Sequence, residues 1–390
     1  MSNLSVPIAR TDLTEEEIKS VLEPLESGWL VQGPQVASFQ DKWSAYTGAS
    51  NSIAVTSCTS ALHLSLAALG FGPGDEAIIP AFTWISTANV VEHLGGRAVF
   101  CDIDLNTFNI DVDEIAKKIT PATKAILPVH LFGLAADMEP INILAKKHNL
   151  WVVEDAACGF GSLYNGQHVG TFGDTGCFSF HPRKAITTGE GGMVTTVNKD
   201  LAEKIQRLRD HGAAISDLQR HLGPKPYLLA DHPDAGYNQR MTDIQGALGS
   251  KQMDRANDIV SERRRLASIY NEALAGMDCI QTPMEPEGYQ HGYQSYPCLF
   301  QPSDIAEGKI KKVHESRNAL MDDLQKAGIS TRPATHAVHM LNFYAEKYNL
   351  KPSDFPNAQI ANDCSISLPL FHGMTDDEQS YVIKKINEFI

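Results

Sequence analysis

The first 200 residues alternate short, wholly apolar runs with longer segments in which apolar positions recur every three or four residues. Runs at 52–55, 76–80, 98–102, 125–129, 150–154 and 178–180 read as strands, and segments at 60–69, 88–92, 113–119 and 138–148 as helices. Strands without polar alternation are buried on both faces, and strands that alternate with helices build a parallel sheet. The expectation is an α/β fold whose mostly parallel sheet is covered by helices. In such folds ligands lie beyond the carboxyl ends of the strands.

Around this unit the pattern changes. Thr14 and Glu17 form a capping-box pair that opens a helix to about residue 26. Gly28, Gly33 and Pro34 stop it before a second helix from about 35; Trp29 between them reads as packing. A strand resumes at Met193, 201–209 is helical, and the Gly, Pro and Asp content of 213–235 predicts a long loop. Residues 244–275 read as one long helix. Beyond it 293–300, a helix at 313–327, 329–332 and a last helix after Thr375 form a smaller α+β unit. The predicted division is a large α/β domain over 1–250 and a small C-terminal α+β domain over 251–390. There is no internal repeat.

Composition narrows the function classes. The chain has 390 residues, 43% hydrophobic and 21% charged, which is globular usage. A formal charge of −14 argues against a nucleic-acid or anionic-membrane partner, and only Arg263, Arg264 and Arg265 cluster positive charge. No run approaches membrane-spanning length, and no apolar leader is expected at the N-terminus. Seven cysteines lack CxxC spacing, so reduced thiols in a cytoplasmic protein are expected, with neither disulfides nor a metal site. No Walker lysine follows 56–60, and Gly159-Phe160-Gly161 does not complete a dinucleotide fingerprint.

Four strand ends carry candidate chemistry. Thr56-Ser57-Cys58-Thr59-Ser60 leads into a helix, where hydroxyls and free N–H groups bind phosphate; capping by Thr59 or Ser60 is the plainer role. Trp84 follows the second strand and offers either a ring to stack on a planar ligand or core packing. Asp155 ends the strand before Ala156 and Ala157, two side chains small enough to leave room for a ring. A carboxylate there needs a cationic partner, such as a pyridinium nitrogen, unless it caps the next turn. Lys184 stands in a Gly/Thr-rich turn between two apolar strands, near Ser179; it is either an imine-forming lysine or a surface one. Together these ends supply an anion cradle, a stacking ring, a ring-nitrogen partner and an amine, the set that pyridoxal phosphate requires.

With that set, the chain resembles the DegT/DnrJ/EryC1/StrS sugar aminotransferases of the fold-type I pyridoxal-phosphate enzymes. The resemblance rests on SGWLVQGP (27–34), TSCTSALHL (56–64), GDEAIIPAFTWISTAN (74–89), PVHLFG (128–133), VVEDAAC (152–158), SFHPRKAITTGEGG (179–192), LRDHG (208–212) and GYNQRMTDIQGALG (236–249). It implies Lys184 as the Schiff-base lysine, Asp155 as the pyridinium partner and Trp84 as the stacking ring. Ser57, Cys58, Thr59, Ser60 and Ser179 would hold the phosphate. Asn238 would reach it from a neighbouring subunit, so that a homodimer shares its active sites. Two positions depart from the pattern: Cys158 stands where relatives carry glutamine or histidine against the cofactor, and Cys58 replaces glycine or alanine. The implied reaction moves an amino group from L-glutamate to a nucleotide-linked keto-sugar for polysaccharide or glycan biosynthesis. ITTGEGG resembles members that aminate a 4-keto-6-deoxy sugar at C-4, with C-3 amination the alternative. His211, Arg240 and His336 are candidate substrate contacts, the first two equally readable as structural. A sugar dehydratase on the same fold would carry histidine in place of Lys184, and a non-catalytic regulator would need a DNA-binding module that the sequence does not display.

Overall fold

Seven strands form the central sheet in the order Asn51–Val55, Gly192–Thr196, Thr175–Ser179, Trp151–Asp155, Thr123–Ile126, Glu76–Pro80 and Arg97–Cys101. The computed structural model describes residues 4–215, 227 and 229–390 of the chain; part of the predicted loop at 213–235 therefore lies outside the described residues. Neighbours from Thr175–Ser179 to Arg97–Cys101 are parallel, and Gly192–Thr196 runs antiparallel to both of its partners. The mostly parallel α/β sheet is the one that the sequence predicts.

Strand alternation sorts the core into two layers. Ile53, Val55, Ile79, Val153, Cys177 and Val194 face one layer, with Leu62 and Leu64 of helix Cys58–Leu69 and Val90 of helix Ser86–His93. Ala54, Ile78, Ile126, Val152, Phe178 and Met193 face the other, with Phe39 and Trp43 of helix Pro34–Thr47. Gly192 marks a close approach. A Cβ there would stand 2.4 Å from the carbonyl carbon of Ser57, so the reversed strand passes under the start of helix Cys58–Leu69 only because it begins with glycine.

Several boundaries differ from the sequence expectation. The first helix breaks at Val21 into Glu15–Ser20 and Leu22–Ser27. The predicted 244–275 helix is two, Asp243–Gln252 and Ala256–Leu274, joined by a tight 3₁₀ turn at Met253–Arg255. The strand sought at 178–180 is Thr175–Ser179, because Gly176 and Thr175 carry no apolar signal yet pair with Glu154 and Val153. Residues 329–332 form isolated bridges from Ile329 to Val6 and from Arg332 to Ser367, not a strand. A second sheet of Ile280–Gln281, Tyr296–Phe300 and Ser365–Leu368 includes two strands, Ile280–Gln281 and Ser365–Leu368, that the sequence pattern did not reveal, and helices Asn342–Tyr348 and Pro356–Cys364 were likewise not foreseen. The capping box expected at Thr14 is present, and Thr242 and Thr375 open their helices in the same way.

The chain ends are clasped. Val6 pairs with Ile329 and hydrogen-bonds Gly328, Arg10 binds Glu378 at 2.9 Å, and Arg255 grips Glu17 at 2.6 Å. Thr11 reaches the carbonyl of Pro182, two residues before Lys184. The Arg263-Arg264-Arg265 cluster is dispersed. Arg264 pairs with Glu285, Arg265 with Glu262 and Asp376, and Arg263 is buried. No helix among the described residues is long and apolar enough to cross a membrane.

Two buried histidines give the fold a pH dependence. His168 donates from Nδ1 to the Val169 carbonyl and accepts the Gly161 N–H at Nε2; burial lowers its pKa to about 4. His291 accepts the Tyr293 N–H, and burial lowers it to about 3. Both are neutral in the fold but would ionise near 6.5 in an unfolded chain, so protons favour unfolding. Stability should fall as pH drops from about 6.5 through about 4. Thermal denaturation tests this: the midpoint should be lower at pH 5 than at pH 7, with a shallower acid limb in a His168→Gln variant, and equal midpoints would contradict the assignment.

Candidate active site

The strands that carry the candidate residues are contiguous in the sheet. Asn51–Val55 ends below Ser57, Thr175–Ser179 ends at Ser179, and Trp151–Asp155 ends at Asp155. Because Gly192–Thr196 is reversed, it starts at that same edge, with Gly192 opposite both Ser179 and Val55. The 180–191 connection therefore never leaves the carboxyl edge, and Lys184 stands on it.

Alternation then divides two adjacent carboxylates. Glu154 points into the layer of Phe178, where it is fully buried and accepts from His130 Nε2 at 2.9 Å and from the N–H groups of Gly170, Phe172 and Gly173 at 2.6–2.7 Å. His130 Nδ1 in turn accepts the Ala136 N–H, so its proton is on Nε2. With four donors Glu154 is saturated and structural. Asp155 points to the other layer. Its Oδ2 accepts from Thr87 Oγ1 at 2.7 Å, and its Oδ1 accepts from the Ala157 N–H at 3.1 Å, with Cys58 Sγ at 3.9 Å. No cation pairs with this buried carboxylate among the described residues, so lone pairs remain for a ligand donor. Thr87, the second residue of helix Ser86–His93, is the contact that sequence reading missed. Its only signal was a hydroxyl three residues after Trp84, and its relevance depends on which sheet face Asp155 takes.

At the helix start the cap is Ser57, not Thr59 or Ser60: Ser57 Oγ accepts the Ser60 N–H at 3.1 Å. Thr56 and Ser57 hydroxyls both meet Ser60 Oγ, at 2.8 and 3.1 Å, and Thr59 is half-buried beside them. Three clustered hydroxyls at a helix N-terminus suit an anion. Cys58 is buried and its thiol donates to the Cys177 carbonyl; burial first, then Asp155, pushes its pKa well up, so it is a neutral thiol. Ser179 Oγ accepts the His181 N–H at 3.4 Å.

Lys184 Nζ donates to Cys158 Sγ at 3.0 Å. Burial works against its charge, but Cys158, then Cys58 and Asp155, more than offset it and raise its pKa. Lys184 is thus half-buried and close to thiols and Asp155, not a fully solvated surface lysine. The Trp84 ring is 60% exposed, with its centroid 5.7 Å from that of His336, whose backbone pairs with Thr83. An exposed indole at the rim of the site is a surface that a flat ligand could cover.

The remaining candidates lie on the segments around 210 and 240, and Arg240 pairs through its backbone with Val55, two residues before Ser57. Arg240 is ion-paired to Asp210, and His211 adopts a left-handed backbone with its N–H on the Tyr237 carbonyl. Asn238 is exposed on the segment that bridges to Asp210. Trp29 packs against Gly33, where a Cβ would stand 2.1 Å from its Nε1.

The residues fit pyridoxal phosphate: a hydroxyl-lined helix start, a buried carboxylate with spare acceptors, a half-buried amine and an open aromatic face meet at one edge.

Comparison with known proteins agrees. The profile of the DegT/DnrJ/EryC1/StrS aminotransferase family matches residues 11–387. The chain is 37% identical over 390 residues to the spore coat polysaccharide biosynthesis protein SpsC of Bacillus subtilis, covering 100% of this chain and 98% of that protein. It is 37% identical over 388 residues to GDP-perosamine synthase of Escherichia coli O157:H7, covering 98% of each. In structure it is similar to the putative sugar aminotransferase Spr1654 of Streptococcus pneumoniae in its PMP form, with a TM-score of 0.90, 29% identity and 99% of both chains covered.

Thr87 orients Asp155 through a buried hydrogen bond to a carboxylate, a contact worth about 1.5–3 kcal/mol. A Thr87→Val variant should bind pyridoxal phosphate about 10- to 100-fold more weakly, read by titrating visible absorbance. Wild-type affinity in the variant would refute the contact's role.

Proposed function

The chain belongs to the DegT/DnrJ/EryC1/StrS aminotransferase family, whose members are pyridoxal-phosphate-dependent sugar aminotransferases, and we propose that it carries an amino group from L-glutamate to C-4 of a nucleotide-linked 4-keto-6-deoxy sugar. The observation that carries this reading is Lys184 Nζ, half-buried at the sheet's carboxyl edge with Cys158 at 3.0 Å and Asp155 close enough to act on its charge. The C-4 assignment draws on ITTGEGG at 186–192 and on a relative named GDP-perosamine synthase. Polysaccharide or glycan biosynthesis is the setting that SpsC suggests.

Bound pyridoxal phosphate supplies an aldehyde that accepts an amino group and a ring that spreads the electron pair left when a carbon loses its proton. Lys184 Nζ would hold the cofactor covalently and be freed by the incoming amino donor. As a neutral amine, Lys184 Nζ then takes the proton from the donor's α-carbon and delivers it, a general base and acid in turn. Asp155, fixed by Thr87 and the Ala157 N–H, keeps a proton on the ring nitrogen. Ser57, Cys58, Thr59, Ser60 and Ser179 would hold the phosphate and Trp84 would cover the ring, while Cys158 stands beside the reactive amine. His336, which meets Trp84, together with His211 and Arg240 would contact the acceptor sugar.

A homodimer with shared sites fits two features. Asn238 is exposed and free to reach a partner's phosphate, and Ile18, Leu22, Leu25, Leu30 and Val31 expose apolar side chains along the N-terminal segment. Free thiols at all seven cysteines support a cytoplasmic location. The division into a large domain, 1–250, and a small one, 251–390, is part of the same proposal.

Purified protein should show a visible cofactor band that L-glutamate shifts, and Lys184→Ala should lose the shift and about 10²- to 10⁴-fold or more in turnover. A band indifferent to glutamate would defeat the aminotransferase reading. The position is settled by NMR of the product: the amine is expected on C-4, and an amine on C-3 would sink that assignment.

A further inference from the structure

Among the described residues Arg263 is a buried charge with no acid beside it. It is 2% exposed, on helix Ala256–Leu274. Its two amino groups reach only backbone carbonyls, Leu370 at 3.3 Å and Gln294 at 3.2 Å, and its Nε has no partner. A buried guanidinium ordinarily finds an anion. The other buried arginines lie near one: Arg209 close to Asp210, Arg317 close to Asp363. Among the described residues Arg263 has no such acid; the ionisable side chain nearest to it in effect is Cys158, the thiol that meets Lys184. Arg263 and Lys184 also line one cavity, walled by Thr11, Arg183 and His372. Arg10 and Arg255 on that wall already have Glu378, Glu17 and Asp12, and His372 is held by Asp12.

An α-amino acid brings a carboxylate two bonds from the nitrogen that reacts. Wherever Lys184 works on the donor, an anion arrives within a few ångströms, on a planar group that a guanidinium fork matches. The phosphate has its own cradle at Thr56–Ser60, so Arg263 is left for the donor. We propose that Arg263 binds the α-carboxylate of the amino donor, a site for amino and 2-oxo acids built beside Lys184. The proposal rests on the aminotransferase reading above.

Steady-state kinetics on the holoenzyme test it with two donors, L-glutamate and 4-aminobutanoate, which is glutamate without its α-carboxylate. Arg263→Gln should raise the KM for L-glutamate about 10-fold or more, leave the KM for the keto-sugar unchanged, and add no loss with 4-aminobutanoate. Arg263→Lys, which keeps the charge and loses the fork, should fall between and serves if the glutamine variant does not fold. Calorimetric titration with 2-oxoglutarate should show binding to wild type that weakens by a similar factor in the variants. An unchanged glutamate KM, or equal losses with both donors, would mean that Arg263 only clamps the Leu370 and Gln294 carbonyls, and the proposal would fall. Absence of glutamate turnover in wild type would instead overturn the aminotransferase reading.

Discussion

One reversed strand sets the geometry of the whole site. Gly192–Thr196 lies between Asn51–Val55 and Thr175–Ser179 and runs against both, so the chain leaves the sheet and re-enters it at the same edge. A parallel strand would have required a crossover to the far edge, carrying the lysine turn away from Ser57 and Asp155. The reversal depends on Gly192, because the backbone of Ser57 and Cys58 lies where any Cβ would go. Replacing that glycine would press the strand against the helix start that forms the anion cradle.

The second constraint is the two-residue period of a strand. Glu154 and Asp155 are chemically alike and adjacent, yet one is spent on three backbone N–H groups and a histidine while the other keeps acceptors for a ligand. Their division is decided by which layer each faces. Helix Ser86–His93 covers the Asp155 face and delivers Thr87 there, while the Gly170–Gly173 turn folds against the Glu154 face. Register alone distinguishes the structural acid from the available one.

Much of this was legible in the sequence, for reasons of period and position. Apolar runs located six of the seven large-sheet strands to within a few residues, with Met193 marking the seventh, and the rule that ligands lie at carboxyl ends directed attention to residues 56–60, 84, 155 and 184. What escaped notice depends on contacts far apart in the chain. Thr87 looks like any helical threonine until Asp155, 68 residues on, turns out to face it. Arg263 sat in a run of three arginines that the sequence showed only as a cluster of positive charge. Packing gave its neighbours separate carboxylates and buried the first. Gly176 and Thr175 hid the start of a strand because the central position they occupy needs no bulky side chain.

The clasp between the two terminal segments bears on how the site is closed. Thr11 reaches Pro182, and Phe371 and His372 wall the same cavity as Lys184, while Arg10 is anchored by Glu378. The outer wall beside Lys184 therefore depends on a contact between residues 368 positions apart, among the longest-range pairings a chain of this size can make. The sheet edge is built from nearer neighbours, so loosening the clasp would leave the edge intact and the lysine in an open pocket.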